Sequence, residues 1–310
     1  MSVIVFGSIN MDLVVQASRV PLAGETITGE AFFEVPGGKG ANQAVAAALL
    51  GVRTTMVGRV GNDEFGVRLL QGLRLYGIDT EGVSIDPEIT SGLALIIVDY
   101  SGQNRIIVVP GANGRVGEKE LDALDYALEG VSVMLLQLET PMDVVTRAAR
   151  IAASKGIKIV LDPAPVPAFD LPPELYRLAS IITPNETEAA LLVGFPLENE
   201  KAIEDAGRML LQRGAGTVII KLGSRGIYWT NGETAEFRST FQVKPVDTVA
   251  AGDAFNGALA VALDEGKSFS EAVDWGLAAG ALAVTKSGAQ SSLPDRAALL
   301  TILTHGTRNI

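Results

Sequence analysis

A chain of 310 residues with 47% apolar side chains can build one large α/β domain or two smaller ones, and it is not a disordered chain. Its net charge of −11 repels a phosphate polymer, which argues against a nucleic-acid partner but leaves room for a local basic pocket holding a small anion. Cysteine is absent, so disulfides and thiolate chemistry are excluded, and with His305 as the one histidine, near the C-terminus, His-dependent triads and His-rich zinc sites are not expected.

The segment Met1-Ser2-Val3-Ile4-Val5-Phe6-Gly7 is too short an apolar run for a secretory leader and lacks a basic start. No apolar run reaches membrane-spanning length, so a cytoplasmic protein without a membrane partner is expected. Residues 3–6 predict a short buried strand. Gly7-Ser8-Ile9-Asn10-Met11-Asp12 follows it, where open α/β sheets bind ligands. Asn10 and Asp12 either bind a polyol there or belong to an ordinary polar loop. Residues 13–16 and 25–35 predict strands outside the main sheet, because apolar and polar residues mix loosely in them. Pro36-Gly37-Gly38-Lys39-Gly40-Ala41-Asn42-Gln43 opens an alanine-rich helix that runs to Leu50. It is not a Walker A loop, whose glycine spacing is longer and whose lysine precedes Ser or Thr. Its paired glycines let backbone approach a ligand, with Lys39 and Asn42 as added donors. The alternative is a glycine-rich helix start with an exposed lysine.

Residues 54–57 predict a strand and 63–76 an amphipathic helix. Residues 93–100 and 104–109 predict a hairpin turning at Ser101-Gly102-Gln103, which would pair with the earlier loose strands as a small platform or lid. From residue 118 onward helices (118–129, 142–154, 173–179, 186–193, 200–213) alternate with strands (131–138, 157–161, 181–182, 217–221). That alternation predicts a mostly parallel sheet covered by helices on both faces. Asn10, Glu139, Asp162, Asn185 and Gly223 then fall at strand C-termini on one edge of the sheet. No Gly-x-Gly-x-x-Gly follows the first strand, which counts against a dinucleotide-dependent oxidoreductase. No linker marks a second domain. One domain over 1–310 is expected, with a lid formed by about residues 13–35 and 91–109.

The stretch Asp247-Thr248-Val249-Ala250-Ala251-Gly252-Asp253-Ala254-Phe255-Asn256-Gly257-Ala258 organises the rest. A strand-like run, 241–246, leads in and an apolar helical run, 254–263, leads out. The small residues between suit a tight turn whose N–H groups face outward at a helix start, which attracts anions. Asp253 there either caps the helix or accepts a proton from a nucleophile attacking a bound phosphate.

These residues resemble, over essentially the whole chain, the ribokinase branch of the PfkB-type carbohydrate kinases. The resemblance rests on Gly7 through Asp12, Gly37 through Ala44, Thr183-Pro184-Asn185-Glu186-Thr187-Glu188, Asp247 through Ala258 and Gly288-Ala289-Gln290-Ser291-Ser292, in this order and spacing. It implies a three-layer α/β/α sandwich with a β-sheet lid, and ATP-dependent phosphorylation of the 5-hydroxyl of ribose. By this resemblance Asp253 is the general base, and the N–H groups of Ala250, Ala251 and Gly252 form the anion hole. Alanine stands at 250 where many members have glycine, but it still supplies an N–H. Asn10, Asp12, Gly38, Lys39, Asn42, Glu139 and Asp253 would bind sugar, whose hydroxyls each donate and accept. Asn185 and Glu188 would sit near Mg²⁺, through waters, although they also read as a helix start. Lys221, Gly223, Ser224 and Gly226, with Ala251 and Gly252, would bind the nucleotide. Residues 277–282 and the loop after Lys286 would wall the adenine. Side-chain oxygens of Asp247 and Ser292 and carbonyls of Val249, Ala283, Lys286 and Gly288 would hold K⁺. A homodimer through the lid is implied. A kinase for another sugar or a nucleoside, or a binding protein that has lost its chemistry, are the rival readings.

Overall fold

Short apolar runs make the strands of the main sheet, and they are buried because helices cover both faces. The computed structural model describes residues 2–100 and 104–308. The chain runs β1 (Ser2–Phe6), β2 (Asn10–Gln16), β3 (Ala31–Gly37), α1 (Lys39–Leu49), β4 (Arg53–Gly61), α2 (Glu64–Leu75), β5 (Val83–Asp86), β6 (Gly92–Val98) and β7 (Asn104–Val109). It continues through α3 (Glu118–Ala127), β8 (Val133–Leu136), α4 (Met142–Ser154), β9 (Lys158–Leu161), α5 (Pro173–Leu178), β10 (Ile181–Ile182), α6 (Glu186–Val193) and α7 (Glu200–Gln212). It closes with β11 (Thr217–Lys221), β12 (Ile227–Thr230), β13 (Ala235–Arg238), α8 (Ala251–Asp264), α9 (Phe269–Ala283) and α10 (Arg296–His305).

The main sheet has the order β13-β12-β11-β10-β9-β8-β1-β4-β5. It is parallel from β5 through β11, and β12 and β13 add an antiparallel edge. Alternation along each strand splits the core into two. Val3, Val5, Val133 and Leu135 face one side and pack with apolar residues of α1, α2, α8, α9 and α10. Ile4, Phe6, Met134 and Leu136 face the other and pack with α3 through α7. The result is the expected three-layer α/β/α sandwich. A separate sheet, β3-β2-β6-β7, leaves the apolar side chains of Phe32, Phe33, Leu95, Ile106 and Ile107 exposed. Among the described residues no helix is long and apolar enough to cross a membrane.

Several elements differ from the sequence reading. The strand expected at 25–35 starts only at Ala31; the loop before it turns at Gly24 with φ 79° and is held by an Arg19–Glu25 ion pair, and Glu30 N–H donates to Gln16 O where pairing with β2 begins. The small sheet reaches back to Asn10, so Asn10 and Asp12 sit on a paired strand rather than in a loop. The run 241–246 is not a strand. Phe241 makes a single antiparallel bridge to Arg308; beyond it Pro245 offers no N–H, and the N–H groups of Val246 and Asp247 both donate to Val284 O, where a ladder would need them pointing alternately. Helix α8 begins at Ala251, three residues earlier than expected. The hairpin turn at 101–103 lies outside the described residues.

Candidate active site

Helix α8 starts from an unusual residue. Ala250 is its N-cap with φ 60° and ψ 7°, the left-handed region that costs an alanine about 1–2 kcal/mol. Ala250 packs partly buried against the core, Ala251 N–H turns back to Thr248 O at 3.4 Å, and the first N–H groups of α8 lie at the helix end. At Gly252 an added Cβ would lie 3.3 Å from Lys221 Nζ, so the Lys221 ammonium lies against the turn and a side chain there would press on it. Lys221 Nζ also pairs with Asp162 Oδ1 at 3.0 Å. The expected anion hole therefore carries a lysine at its mouth.

Asp253 lies in the first turn of α8 and is 6% exposed. Asn42 Nδ2 donates to its Oδ2 at 2.9 Å and Gln43 Nε2 to its Oδ1 at 3.0 Å. These are side-chain bonds from α1, so Asp253 is not acting as a cap of its own helix. Burial raises its pKa to about 6, with Lys39 and the two amide donors pulling down and Asp162 pushing up. A carboxylate poised there is ionised at neutral pH and close enough to neutrality to accept a proton.

The Gly-Gly-Lys-Gly turn works differently from the first expectation. A Cβ at Gly38 would meet Asn10 N at 2.7 Å, and one at Gly40 would meet Ser8 N at 2.7 Å. The backbone that approaches so closely is the chain's own segment 8–10, which seats the N-terminus of α1 against the end of β1. Lys39 is not an exposed surface lysine. Burial works against its charge, yet Asp162, Asp253, Glu139 and Glu188 together outweigh burial and hold the ammonium firmly protonated. Glu139 accepts from the Ser8 hydroxyl and from Lys39 N–H at 3.2 Å, so the strand-end carboxylate is tied into this turn.

Asn10 is buried, and Asn113 Nδ2 donates to its Oδ1 at 2.6 Å. Asn113 is itself clamped by Ile9 N–H and Ile9 O, which fixes the Asn10 amide. Burial, then Glu139 and Asp253, raises the Asp12 pKa to about 7. Among the described residues the buried Asn42 Oδ1 has no hydrogen-bond partner. An acceptor buried beside Asp253 without a donor fits a ligand hydroxyl.

Past Asp253 opens a cavity of about 630 Å³ that Lys39, Asp162, Asn185, Glu188, Lys221, Gly223, Ser224 and Gly226 line together with the Ala250–Gly252 turn. Apolar walls come from Phe241, Val243, Leu277, Ala281 and Val284. Leu277 and Ala281 belong to the expected 277–282 wall. Phe241 and Val243 were not singled out in the sequence, where they read as a strand. Asn185 and Glu188 form a reciprocal cap: Glu188 N–H donates to Asn185 Oδ1 at 2.8 Å and Asn185 N–H to Glu188 Oε2 at 2.7 Å. Burial first, then Asp162, raises the Glu188 pKa, while Lys221 opposes the rise.

Of the expected cation residues, Asp247 gathers its neighbours: Oδ1 accepts from Val249 N–H at 3.0 Å and Oδ2 from Gly288 N–H at 3.0 Å. Ser292 Oγ donates to Ala289 O at 2.8 Å, and Ala283 O accepts from Lys286 N–H at 3.3 Å. Residues that the sequence reading missed are Ser8, Gln43, Asn113 and Gln137. Gln43 Nε2 also donates to Asp162 Oδ2 at 3.1 Å, and Gln137 Nε2 donates to Gln43 Oε1 at 2.7 Å.

Comparison with known proteins bears on this arrangement directly. Residues 1–296 match the model of the pfkB family carbohydrate kinases. The chain belongs to that family. It is 41% identical over 301 residues to a ribokinase of Haemophilus influenzae, covering 97% of this chain and 98% of the relative. It is 40% identical over 296 residues to a ribokinase of Bacillus subtilis, covering 95% and 97%. The Arabidopsis thaliana ribokinase, solved in complex with ribose and ATP, superimposes with a TM-score of 0.89 at 34% identity, covering 97% of this chain and 98% of that one. In this pfkB family chain the main sheet, the small second sheet and the α8 turn thus sit in a carbohydrate-kinase fold.

Proposed function

We propose that this chain phosphorylates D-ribose with ATP at the 5-hydroxyl, giving ribose 5-phosphate and ADP. One observation carries the reading: a buried carboxylate, Asp253, lines a nucleotide-sized cavity just after the Ala250 turn and is bonded by Asn42, whose buried Oδ1 has no partner among the described residues. The sugar hydroxyl attacks the γ-phosphorus in line, its proton passes to Asp253, and the bond to the ADP oxygen breaks. The N–H groups of Ala250, Ala251 and Gly252 take the charge that develops on the transferred group, where one well-placed donor is worth about 3–4 kcal/mol. Asn10, Asp12, Gly38, Lys39, Asn42 and Glu139 hold the sugar through paired donors and acceptors. The small sheet, with residues 13–35 and 91–109, acts as the lid of a single domain and excludes water from the phosphoryl group.

ATP fits the 630 Å³ cavity, with phosphates toward Lys221, Gly223, Ser224 and Gly226 and the base against Phe241 and Leu277. Mg²⁺ fits near Asn185 and Glu188, whose caps leave carboxylate and amide lone pairs for metal-bound waters, and it would neutralise phosphate charge. K⁺ fits an oxygen set with one carboxylate: Asp247 and Ser292 side chains with carbonyls of Val249, Ala283, Lys286 and Gly288. It would steady the turn next to it without touching substrate. Two copies pair through the exposed apolar face of the small sheet.

The test is ATP consumption across a panel of pentoses, hexoses and nucleosides with Mg²⁺ and K⁺ present. Fast turnover on D-ribose supports the reading. Turnover confined to another acceptor moves the substrate, and binding without turnover contradicts a kinase.

A further inference from the structure

The Asp253 carboxylate does not stand alone. Gln43 follows Asn42 in α1, is completely buried, and reaches two carboxylates with one nitrogen: Asp253 Oδ1 at 3.0 Å and Asp162 Oδ2 at 3.1 Å. A primary amide has two N–H donors on one side and an acceptor on the other. Between two anions only the N–H side can face both; turned over, the carbonyl would oppose each of them. Gln137, immediately after β8 and also completely buried, sets the direction, because its Nε2 donates to Gln43 Oε1 at 2.7 Å. Asp162 in turn takes Lys221 Nζ on its other oxygen at 3.0 Å. The hydrogen bonds therefore run without a break from Asn42 through Asp253, Gln43 and Asp162 to Lys221.

We infer that Gln43, held by Gln137, is a positioning residue that keeps the Asp253 carboxylate aimed at the acceptor hydroxyl and spaced from Asp162; this rests on the kinase reading above. The charged groups acting on Asp253 are Lys39 from α1, Asp12 from β2 and Asp162 after β9, which is itself paired with Lys221 from β11, while Glu139 after β8 acts on Asp12 and Lys39. Carboxylates outnumber ammoniums among them, so the two N–H donors of Gln43 have no substitute. Removing them leaves Asp253 with the Asn42 bond alone and an unshielded like charge at Asp162, and both changes favour the protonated, inactive form.

The test uses the full chain with Gln43→Met, which keeps length and removes both donors, and Gln137→Glu, which puts an acceptor where Gln43 needs a donor and forces the amide to turn. The readout is kcat/KM for ribose across about pH 5 to 9, beside KM for ATP and the melting temperature with ADP. Both variants are expected to move the acid limb up by roughly one pH unit, so that most of the loss at neutral pH is recovered in alkali, while KM for ATP changes by less than about threefold. A merely structural role would lower activity by the same factor at every pH. An acid limb unmoved in both folded variants overturns the inference. If Gln43→Met does not fold, Gln137→Glu alone carries the same expectation and the same contradiction. Absence of ribose turnover by the wild type would instead overturn the kinase reading, before any variant is compared.

Discussion

At the scale of the residue, the proposed chemistry rests on Asp253 and Gly252. Asp253 has a pKa raised to about 6, chiefly by burial. It must be ionised to take a proton, so kcat/KM is expected to rise with pH through about 6 and then level; a limb near the ordinary aspartate value would contradict the burial argument. Gly252 contributes absence of a side chain. Its missing Cβ leaves the 3.3 Å that Lys221 Nζ occupies. Gly252→Val pushes that ammonium away from the turn, and kcat is expected to fall by roughly 10- to 100-fold with ribose binding kept, measured by steady-state kinetics beside equilibrium sugar binding. The motif residues were legible in the sequence because their types are odd for their place: an acid after a small-residue turn, amides at a strand end. Gln43, Gln137, Asn113 and Ser8 were not. Their partners lie 94 to 210 residues away for the two glutamines, more than 100 away for Asn113, and 32 and 131 away for Ser8, and no local pattern marks such a bond.

At the scale of the element, the small sheet and the entry to α8 carry the predictions. Of the exposed apolar side chains of this sheet, Phe32, Leu95 and Ile107 share one face and Phe33 and Ile106 the other, and exposed apolar surface of this kind ordinarily marks an interface. Ile107→Glu places a charge on it, and sedimentation is expected to report a dimer for the wild type and a monomer for the variant. A monomeric wild type contradicts the pairing. The segment before α8 is held by Asp247, through Val249 and Gly288, and by Val284. Exchanging K⁺ for a bulky monovalent cation is expected to lower kcat, and equal rates in both would contradict a role for K⁺ at this turn. Elements with continuous apolar runs or strong helical periodicity were legible in the sequence. The edge strands β5 and β13 were not, because edges carry mixed residues and lack the buried pattern, and neither was β12, an interior strand of only four buried residues. The run 241–246 misled for another reason: Phe241 and Val243 line a cavity wall, Val246 is exposed, and Pro245 denies the run a ladder.

At the scale of the whole molecule, one region gathers carboxylates that folding alone would not choose. Asp12, Asp253 and Glu188 all have raised pKa values with burial as the first cause. A carboxyl raised on folding adds stability below its unfolded pKa and loses it as pH climbs through the folded value. For Asp12 that window runs from 3.8 to about 7. Asp12→Asn is accordingly expected to raise the melting temperature of the ligand-free protein at mildly alkaline pH, to leave it nearly unchanged in acid, and to weaken ribose binding. An unchanged melting temperature in alkali would contradict the burial cost. The layered α/β/α plan followed from the alternation after residue 118, since parallel strands need helical crossovers. What joins the layers into a site, the seating of segment 8–10 on Gly38 and Gly40, depends on contacts across the fold.

The most direct test of the account is Asp253→Asn, with kcat measured by single-turnover phosphoryl transfer and ribose binding measured at equilibrium. Asparagine preserves shape but cannot accept the proton. The account predicts that kcat falls about 100- to 10,000-fold while sugar and nucleotide still bind. A variant that keeps near-wild-type kcat would show that Asp253 is not the base, and the assignment built around the α8 turn would fail with it.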